Sequence, residues 1–258
     1  MSAVPVKQIN SPSNSSYKRW RKYLNCPEAE DCPWIAVEGR KQVAELSEDR
    51  RIELLLIDGG PNPGNAVLRK RSSEVIQVSK QMLKGLSKTR SPQGLLAFFN
   101  KPKWSWKELT PYVLLLNRLR DPGNLGVLMR TAAATGIFSI VTSVDTVSCF
   151  NDKVVRASAG YLFKVPFLEK FAAADLQQHG YEIWVAHPRE GGTLFNRGFK
   201  PPLALMLGNE GEGVDLAEVA QPWRPLRIPM SPGVDSLNVS VSGSLLMYEI
   251  YRGVCKND

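Results

Sequence analysis

Histidine and cysteine are scarce in this chain, two and four among 258 residues. Cys26, Cys32, Cys149 and Cys255 are scattered, which excludes the dense disulfide framework of a small secreted scaffold. Cys26 and Cys32 are separated by five residues and lack the Cys-x-x-Cys spacing of a zinc knuckle. His179 and His187 join no ligand-type cluster, so no metal is expected. Long apolar runs are also missing: no segment approaches the roughly 18 apolar residues that span a bilayer. The first residues carry no apolar signal-peptide core. These absences predict a reduced, cytoplasmic protein without membrane contact. Acidic charge is the last shortage, with 25 Asp and Glu against 33 Lys and Arg, a net charge of +8. That excess favours a polyanionic partner, nucleic acid being the commonest.

What is present is enough to fold. The hydrophobic fraction of 43% supports a real core, and the length allows two modest domains. Residues 1–16, rich in Ser, Pro and Asn, read as a loose tail. Tyr17–Leu24 reads as a basic helix, with Lys18, Arg19, Arg21 and Lys22 beside Trp20 and Tyr23. Strands are predicted at Trp34–Val37, Ile52–Ile57, Val75–Val78 and Gly94–Phe99, with helices at Gly39–Leu46 and Lys80–Leu86. Residues 58–64 read as a loop. The alternation predicts a small α/β domain over 17–100 with about four strands, in which Lys80, Lys84, Lys88 and Arg90 add to the basic charge. Residues 101–110, with Trp104 and Trp106, read as a linker in which the indoles pack.

Residues 111–258 repeat the alternation on a larger scale. Strands are predicted at Val113–Leu116, Ser139–Thr142, Ile183–Ala186, Leu203–Leu207 and Leu226–Ile228. Helices are predicted at Leu125–Thr135, Lys153–Ala157, Phe171–His179, Leu216–Val219 and Ser240–Tyr251. Successive βα units of this kind build a mostly parallel sheet covered by helices on both faces.

Three loops carry the chemistry. The first leaves the apolar run Val113–Leu116 and contains Asn117, Asp121, Pro122, Asn124, Gly126 and Arg130, followed by Thr131-Ala132-Ala133. Its amides, carboxylate and arginine suit a phosphate or ribose better than an apolar ligand. The second, Gly208-Asn209-Glu210-Gly211-Glu212-Gly213, offers free backbone N–H groups after a strand. Alone it also fits a nicotinamide or phosphate site, although the Gly-x-Gly-x-x-Gly register is missing. The third runs Ile228-Pro229-Met230 to Ser236-Leu237-Asn238-Val239-Ser240 and opens a helix with small residues Ser242, Gly243 and Ser244. Plainer roles stand beside these: Arg130 as a surface arginine, Asn124 and Ser236 as helix N-caps, Glu210 as a solvated charge.

Together these loops resemble the signatures of the SpoU/TrmH RNA ribose 2′-O-methyltransferases, of the SPOUT class. The first is similar to Asn-x-x-Asp-Pro-x-Asn-x-Gly-x-x-x-Arg-Thr-Ala, the second to Gly-x-Glu-Gly-x-Gly, the third to Ile-Pro-Met…Ser-Leu-Asn-Val-Ser. Val154-x-Arg156-Ala157-Ser158-Ala159-Gly160 is a weaker fourth match. Val37-Glu38-Gly39-x-Lys41 and Ser91-Pro92-Gln93-Gly94 resemble the substrate-binding domain of two-domain members, related in fold to ribosomal protein L30e. Two positions depart from the family pattern: Asn209 stands where many members carry an apolar or small residue, and Val241–Ser244 replaces an alanine-rich segment.

The resemblance implies a deep trefoil knot and a homodimer with active sites at the subunit interface. It implies S-adenosylmethionine as cofactor, held around Gly208, Ile228 and Leu237, with Met230 and Asn238 as neighbours. It implies methylation of a ribose 2′-hydroxyl in RNA, ribosomal rather than transfer RNA, through Arg130, Asn124, Glu210, Ser236 and Asn238. Methylation of transfer RNA, a non-catalytic RNA-binding role in ribosome assembly, and a nicotinamide-dependent oxidoreductase remain the competing readings.

Overall fold

Alternating strands and helices fill both halves of the computed structural model, which describes residues 4–60, 64–89, 92–195, 198–216 and 219–255. Part of the expected loop 58–64, Arg90, Ser91, and the middle of the expected helix Leu216–Val219 lie outside the described residues. The chain divides into two compact units, Met1–Pro102 and Lys103–Asp258.

The first unit runs β1 (Val6–Gln8), α1 (Ser15–Asn25), β2 (Trp34–Glu38), α2 (Arg40–Asp49), β3 (Ile52–Ile57), α3 (Gly64–Lys70), β4 (Ser72–Gln77), α4 (Lys80–Leu86) and β5 (Leu95–Asn100). The sheet order is β1-β4-β3-β5-β2. The β1, β3 and β4 pairings are parallel, and β5 is antiparallel to both neighbours. The expected loose tail is corrected here: Val6, Lys7 and Gln8 pair with Val75, Ile76 and Gln77. All three are exposed, so the strand is held by its ladder and leaves no apolar pattern in the sequence. Helix α1 starts where the Asn14 side chain accepts from Ser16 N, and α4 where Ser79 accepts from Met82 N. Tyr17, Trp20 and Leu24, at helical spacing, join Met82, Leu83 and Leu86 over Leu54, Leu56, Ile76, Leu96 and Phe98.

The second unit runs β6 (Tyr112–Leu116), α5 (Pro122–Thr135), β7 (Phe138–Thr142), α6 (Asp152–Ala157), β8 (Phe167–Glu169), α7 (Ala173–Gln178), β9 (Glu182–Ala186), β10 (Gly192–Thr193), β11 (Leu203–Leu207), β12 (Trp223–Arg227) and α8 (Val239–Cys255). The sheet order is β10-β12-β9-β11-β6-β7-β8, and each of its pairings is parallel. Every residue of β6, β7 and β11 is buried, as a sheet covered on both faces requires. From β6 the chain steps outward to β7 and β8; the later strands build the other side. The adjacent strands β6 and β11 therefore mark the place where strand order reverses, and loops leaving such strands part to form a crevice.

The expected linker 101–110 contains the boundary between the two units. A 3-10 turn occupies Trp106–Glu108, and Trp104, Trp106 and Leu109 pack on the core of the second unit. The Trp106 ring stacks on His179 at 3.8 Å and meets the edge of Phe171, confirming packing as the role of that indole.

Candidate active site

Helix α5 begins earlier than its apolar pattern predicts. Asp121 accepts from Gly123 N at 2.9 Å, and Pro122 occupies the first turn, where its missing N–H costs nothing. Asp121 is thus the cap, and the side chain of Asn124 is released for longer contacts. Gly126 is buried against α6, where a Cβ would stand 2.3 Å from Ala157 Cβ and 2.9 Å from Ser158 N. The α5 helix ends at Gly136 in the left-handed region, φ 71°.

Asn124 joins the three loops. It is 7% exposed, and its Nδ2 donates to Glu210 Oε1 at 2.9 Å. Its Oδ1 accepts from Asn238 Nδ2 at 3.2 Å. Asn238 Oδ1 in turn accepts from Ser240 N at 2.8 Å and Ser240 Oγ at 2.6 Å, opening α8. The direction of this relay follows from its ends. A carboxylate accepts only, so it draws the Asn124 amide N–H groups; the Asn124 oxygen must then face Asn238 N–H groups, leaving the Asn238 oxygen for the backbone of α8. Asn238, rather than Ser236, caps that helix.

The second loop is braced separately. Asn209 Oδ1 accepts from Gly211 N at 2.9 Å and Glu212 N at 3.3 Å, and its Nδ2 donates to Arg118 O at 2.9 Å. Arg118, at φ 57°, reaches back with its guanidinium to Glu212 and Asp215, each at 3.6 Å. The backbone N–H and C=O groups of Asn209 and Gly213 bond each other reciprocally. Gly208 has no room for a side chain, since a Cβ would lie 2.0 Å from Gly213 C and 2.2 Å from Val214 N. The bracing role of Asn209 was not visible beforehand, because its partner lies 91 positions away.

These loops enclose a cavity of about 540 Å³ at the carboxyl ends of β9, β11 and β12. Gly208, Glu210, Ile228, Met230, Ser236, Leu237 and Asn238 all line it. Glu210, Glu212 and Asp235 bring carboxylates to the wall, and no lysine or arginine joins them among the described residues. Asn124 touches the cavity residues from behind. Arg130 does not line the cavity within one chain: it is exposed on α5, without a side-chain partner among the described residues. The expected juxtaposition of Arg130 with the other site residues is therefore absent from the single chain.

Helix α8 closes the arrangement by packing on α5. A Cβ at Gly243 would meet Leu128 Cδ2 at 2.4 Å and Leu207 Cδ1 at 2.6 Å, and Ser244 Oγ lies 2.9 Å from Thr131 Oγ1. The small residues of this turn accommodate leucine side chains.

A parallel α/β sheet with a cavity at the carboxyl ends of β9, β11 and β12, lined by Glu210 and Asn238 and backed by Asn124, defines a class of ligand-binding α/β protein. Comparison with known proteins makes it specific. Residues 111–248 match the SpoU rRNA Methylase family, and residues 14–97 match an MRM3-like substrate binding domain. The chain belongs to the SpoU rRNA methylase family. It is 28% identical to the 23S rRNA (guanosine(2553)-2′-O)-methyltransferase RlmP of Bacillus subtilis, over 95% of this chain and 99% of that one. It is 32% identical to the uncharacterized tRNA/rRNA methyltransferase slr1673 of Synechocystis, over 83% and 86% of the two chains. The fold matches the AdoMet-bound rRNA methyltransferase of Sinorhizobium meliloti with a TM-score of 0.81, covering 96% of this chain and 98% of that one at 24% identity.

Proposed function

We propose that this protein transfers a methyl group from S-adenosylmethionine to a ribose 2′-hydroxyl of ribosomal RNA. The observation that carries the reading is the Glu210–Asn124–Asn238 relay, which ties all three loops around one cavity. The cavity suits this cofactor. Leu207, Ile228 and Leu237 supply apolar surface for a flat ring, and the glycine loop supplies backbone donors and acceptors. Of its wall carboxylates, Glu212 and Asp235 pair with Arg118 and Arg189, and Glu210 brings negative charge that complements a positively charged ligand. The rRNA substrate is supported by the RlmP relative, which spans nearly the same length.

S-adenosylmethionine, when bound, supplies a methyl group on a cationic sulfur, open to in-line displacement. The chain's own residues then orient and activate the acceptor. Gly208, Ile228, Leu237 and Met230 would hold the cofactor, and Glu210 and Asn238 would fix the loops around it. Ser236 positions the acceptor ribose. Arg130 stays protonated and does not act as a free-standing base. Its guanidinium would grip the phosphate beside the target ribose and hold a phosphate oxygen in place to take the 2′-hydroxyl proton.

A homodimer supplies what the single chain lacks. Val127 on α5 and Val241, Leu245 and Tyr248 on α8 are exposed. Arg130 follows Val127 by three positions and so shares its side of α5. An interface over this stripe would carry Arg130 towards the partner's cavity. Two further features follow the family resemblance. A deep trefoil knot is supported by the return of α8 onto α5 after the β11 and β12 loops, and an L30e-like first domain by its mixed α/β sheet. Four free cysteines fit a reducing, cytoplasmic setting. Among the described residues no helix is long and apolar enough to cross a membrane.

The test is kinetic. Arg130→Ala is expected to lower labelled-methyl transfer to ribosomal RNA by about 100-fold or more, while cofactor affinity by calorimetry changes little. Normal turnover by this variant would end the assignment.

A further inference from the structure

The first unit carries a second feature that the cavity does not use. Helices α1 and α4 lie side by side: Tyr17 Oη donates to Met82 O at 3.0 Å, and Lys88 Nζ donates to Asn25 Oδ1 at 3.0 Å. Gly85 permits the approach, since a Cβ there would stand 2.9 Å from Tyr17 Oη. Because Tyr17, Trp20, Leu24, Met82, Leu83 and Leu86 turn into the sheet, the cations point out. Lys18, Arg19, Arg21, Lys80 and Lys84 are exposed and have no hydrogen-bond or ion-pair partner among the described residues. Neither helix contains Asp or Glu.

We propose that this two-helix cationic face is where the first unit holds the phosphate backbone of the substrate RNA. The inference rests on the methyltransferase reading and adds to it a surface and a mode of contact. Sign purity is the main argument. Lys22 of α1 pairs with Asp31 beyond the end of the helix; the other five cations, gathered without counter-charges, repel one another and raise local potential, which a polyanion relieves by displacing counterions. Helix α2 does not share the property; it mixes Arg40 and Lys41 with Glu45, Glu48 and Asp49, and Lys41 pairs with Glu45 at 3.9 Å. The second argument is the absence of an apolar centre. None of the exposed large hydrophobic side chains lies on α1 or α4, so the face lacks the apolar core of a protein interface. Lysines and arginines on a bare polar surface contact phosphates and read little sequence. The face would therefore anchor RNA while the cavity selects the ribose.

The experiment uses the full chain carrying Lys18→Gln, Arg21→Gln and Lys84→Gln together. The comparison carries Lys41→Gln, Arg51→Gln and Lys70→Gln, an equal loss of charge on α2, the turn after it and α3. Affinity for a fluorescein-labelled RNA stem-loop is measured against salt. The α1/α4 triple variant is expected to lose about 2 to 3 from the slope of log affinity on log salt, and about ten-fold or more in affinity near 0.1 M salt. The comparison variant should lose far less, and the loss in methyl transfer should fall on KM for RNA rather than on cofactor affinity. Each single substitution should lower the slope by about 1, which keeps the reading available if the triple variant fails to fold. An unchanged slope, or equal losses in both triple variants, overturns the proposal. So does unchanged RNA affinity with weakened binding of poly-glutamate, which would assign the face to an acidic protein. Failure of the methyltransferase reading is seen separately, as absence of labelled transfer by the unmodified chain.

Discussion

Asn124 is the residue on which the site turns, because it is buried, neutral and bonded on both sides. Its loss removes the partner of Glu210 Oε1 and of Asn238 Nδ2 beside a partly closed cavity. An unmade hydrogen bond at such a place costs about 1 to 3 kcal/mol, mostly as desolvation. Asn124→Ala is expected to reduce kcat for methyl transfer by about 100-fold and to lower unfolding free energy by about 1 to 3 kcal/mol, measured by urea denaturation. Asn124→Asp puts a second carboxylate against Glu210 and should do no better; activity near normal in either variant would remove the relay from the mechanism. Asn209 works differently. Its three hydrogen bonds and the two ion pairs of Arg118 shape the glycine loop without touching Asn124. The departure of Asn209 from the family pattern thus adds a brace to the loop.

At the scale of elements, α5 carries the most. It begins at a capped proline, passes Gly126 tight against α6, presents Asn124 inward and Arg130 outward, and ends on a left-handed glycine. The Asp121 cap is worth about 1 kcal/mol, so Asp121→Ala should lower Tm by about 2 to 4 °C in a calorimetric scan. Asp121→Asn should recover most of that, since its side-chain oxygen still accepts from Gly123 N. If both substitutions cost the same, the carboxylate has a role beyond capping. Helix α8 was longer than its sequence pattern implied, Val239–Cys255 instead of Ser240–Tyr251. Its outer face alternates small and apolar residues without a charge before Glu249, which masks where the helix meets solvent.

For the whole molecule, the proposed dimer makes the exposed stripe on α5 and α8 the place to test whether one chain suffices. Leu245→Glu places a charge in that stripe without touching the cavity. Sedimentation is expected to show a dimer for the unmodified chain and a monomer for the variant. Methyl transfer should fall by about 100-fold because Arg130 no longer reaches a partner's cavity, while cofactor affinity is kept. A monomeric but fully active variant would show that one chain suffices. This measurement bears on the second unit alone, and the salt dependence of the α1/α4 face bears on the first.

The βα order, the buried strands Ile52–Ile57, Val113–Leu116 and Leu203–Leu207, and the three loops were legible in the sequence because burial and turn chemistry are local properties. Strands β1, β8 and β10 were not, because each has two or three residues and is defined by its neighbour's ladder. Gly208, Ile228, Met230, Leu237 and Asn238 come to one cavity wall because each follows the carboxyl end of a strand or opens a helix. Only tertiary structure decided that Asp121 and Asn238 are the caps, that Asn124 bridges Glu210 and Asn238, and that Asn209 grips Arg118. The bonds of Asn124 and Asn209 join positions 86, 91 and 114 residues apart, and no local pattern of charge or hydrophobicity records which distant donor an amide will meet. The two caps are local bonds, and only the surrounding structure decided which of several candidate residues makes them.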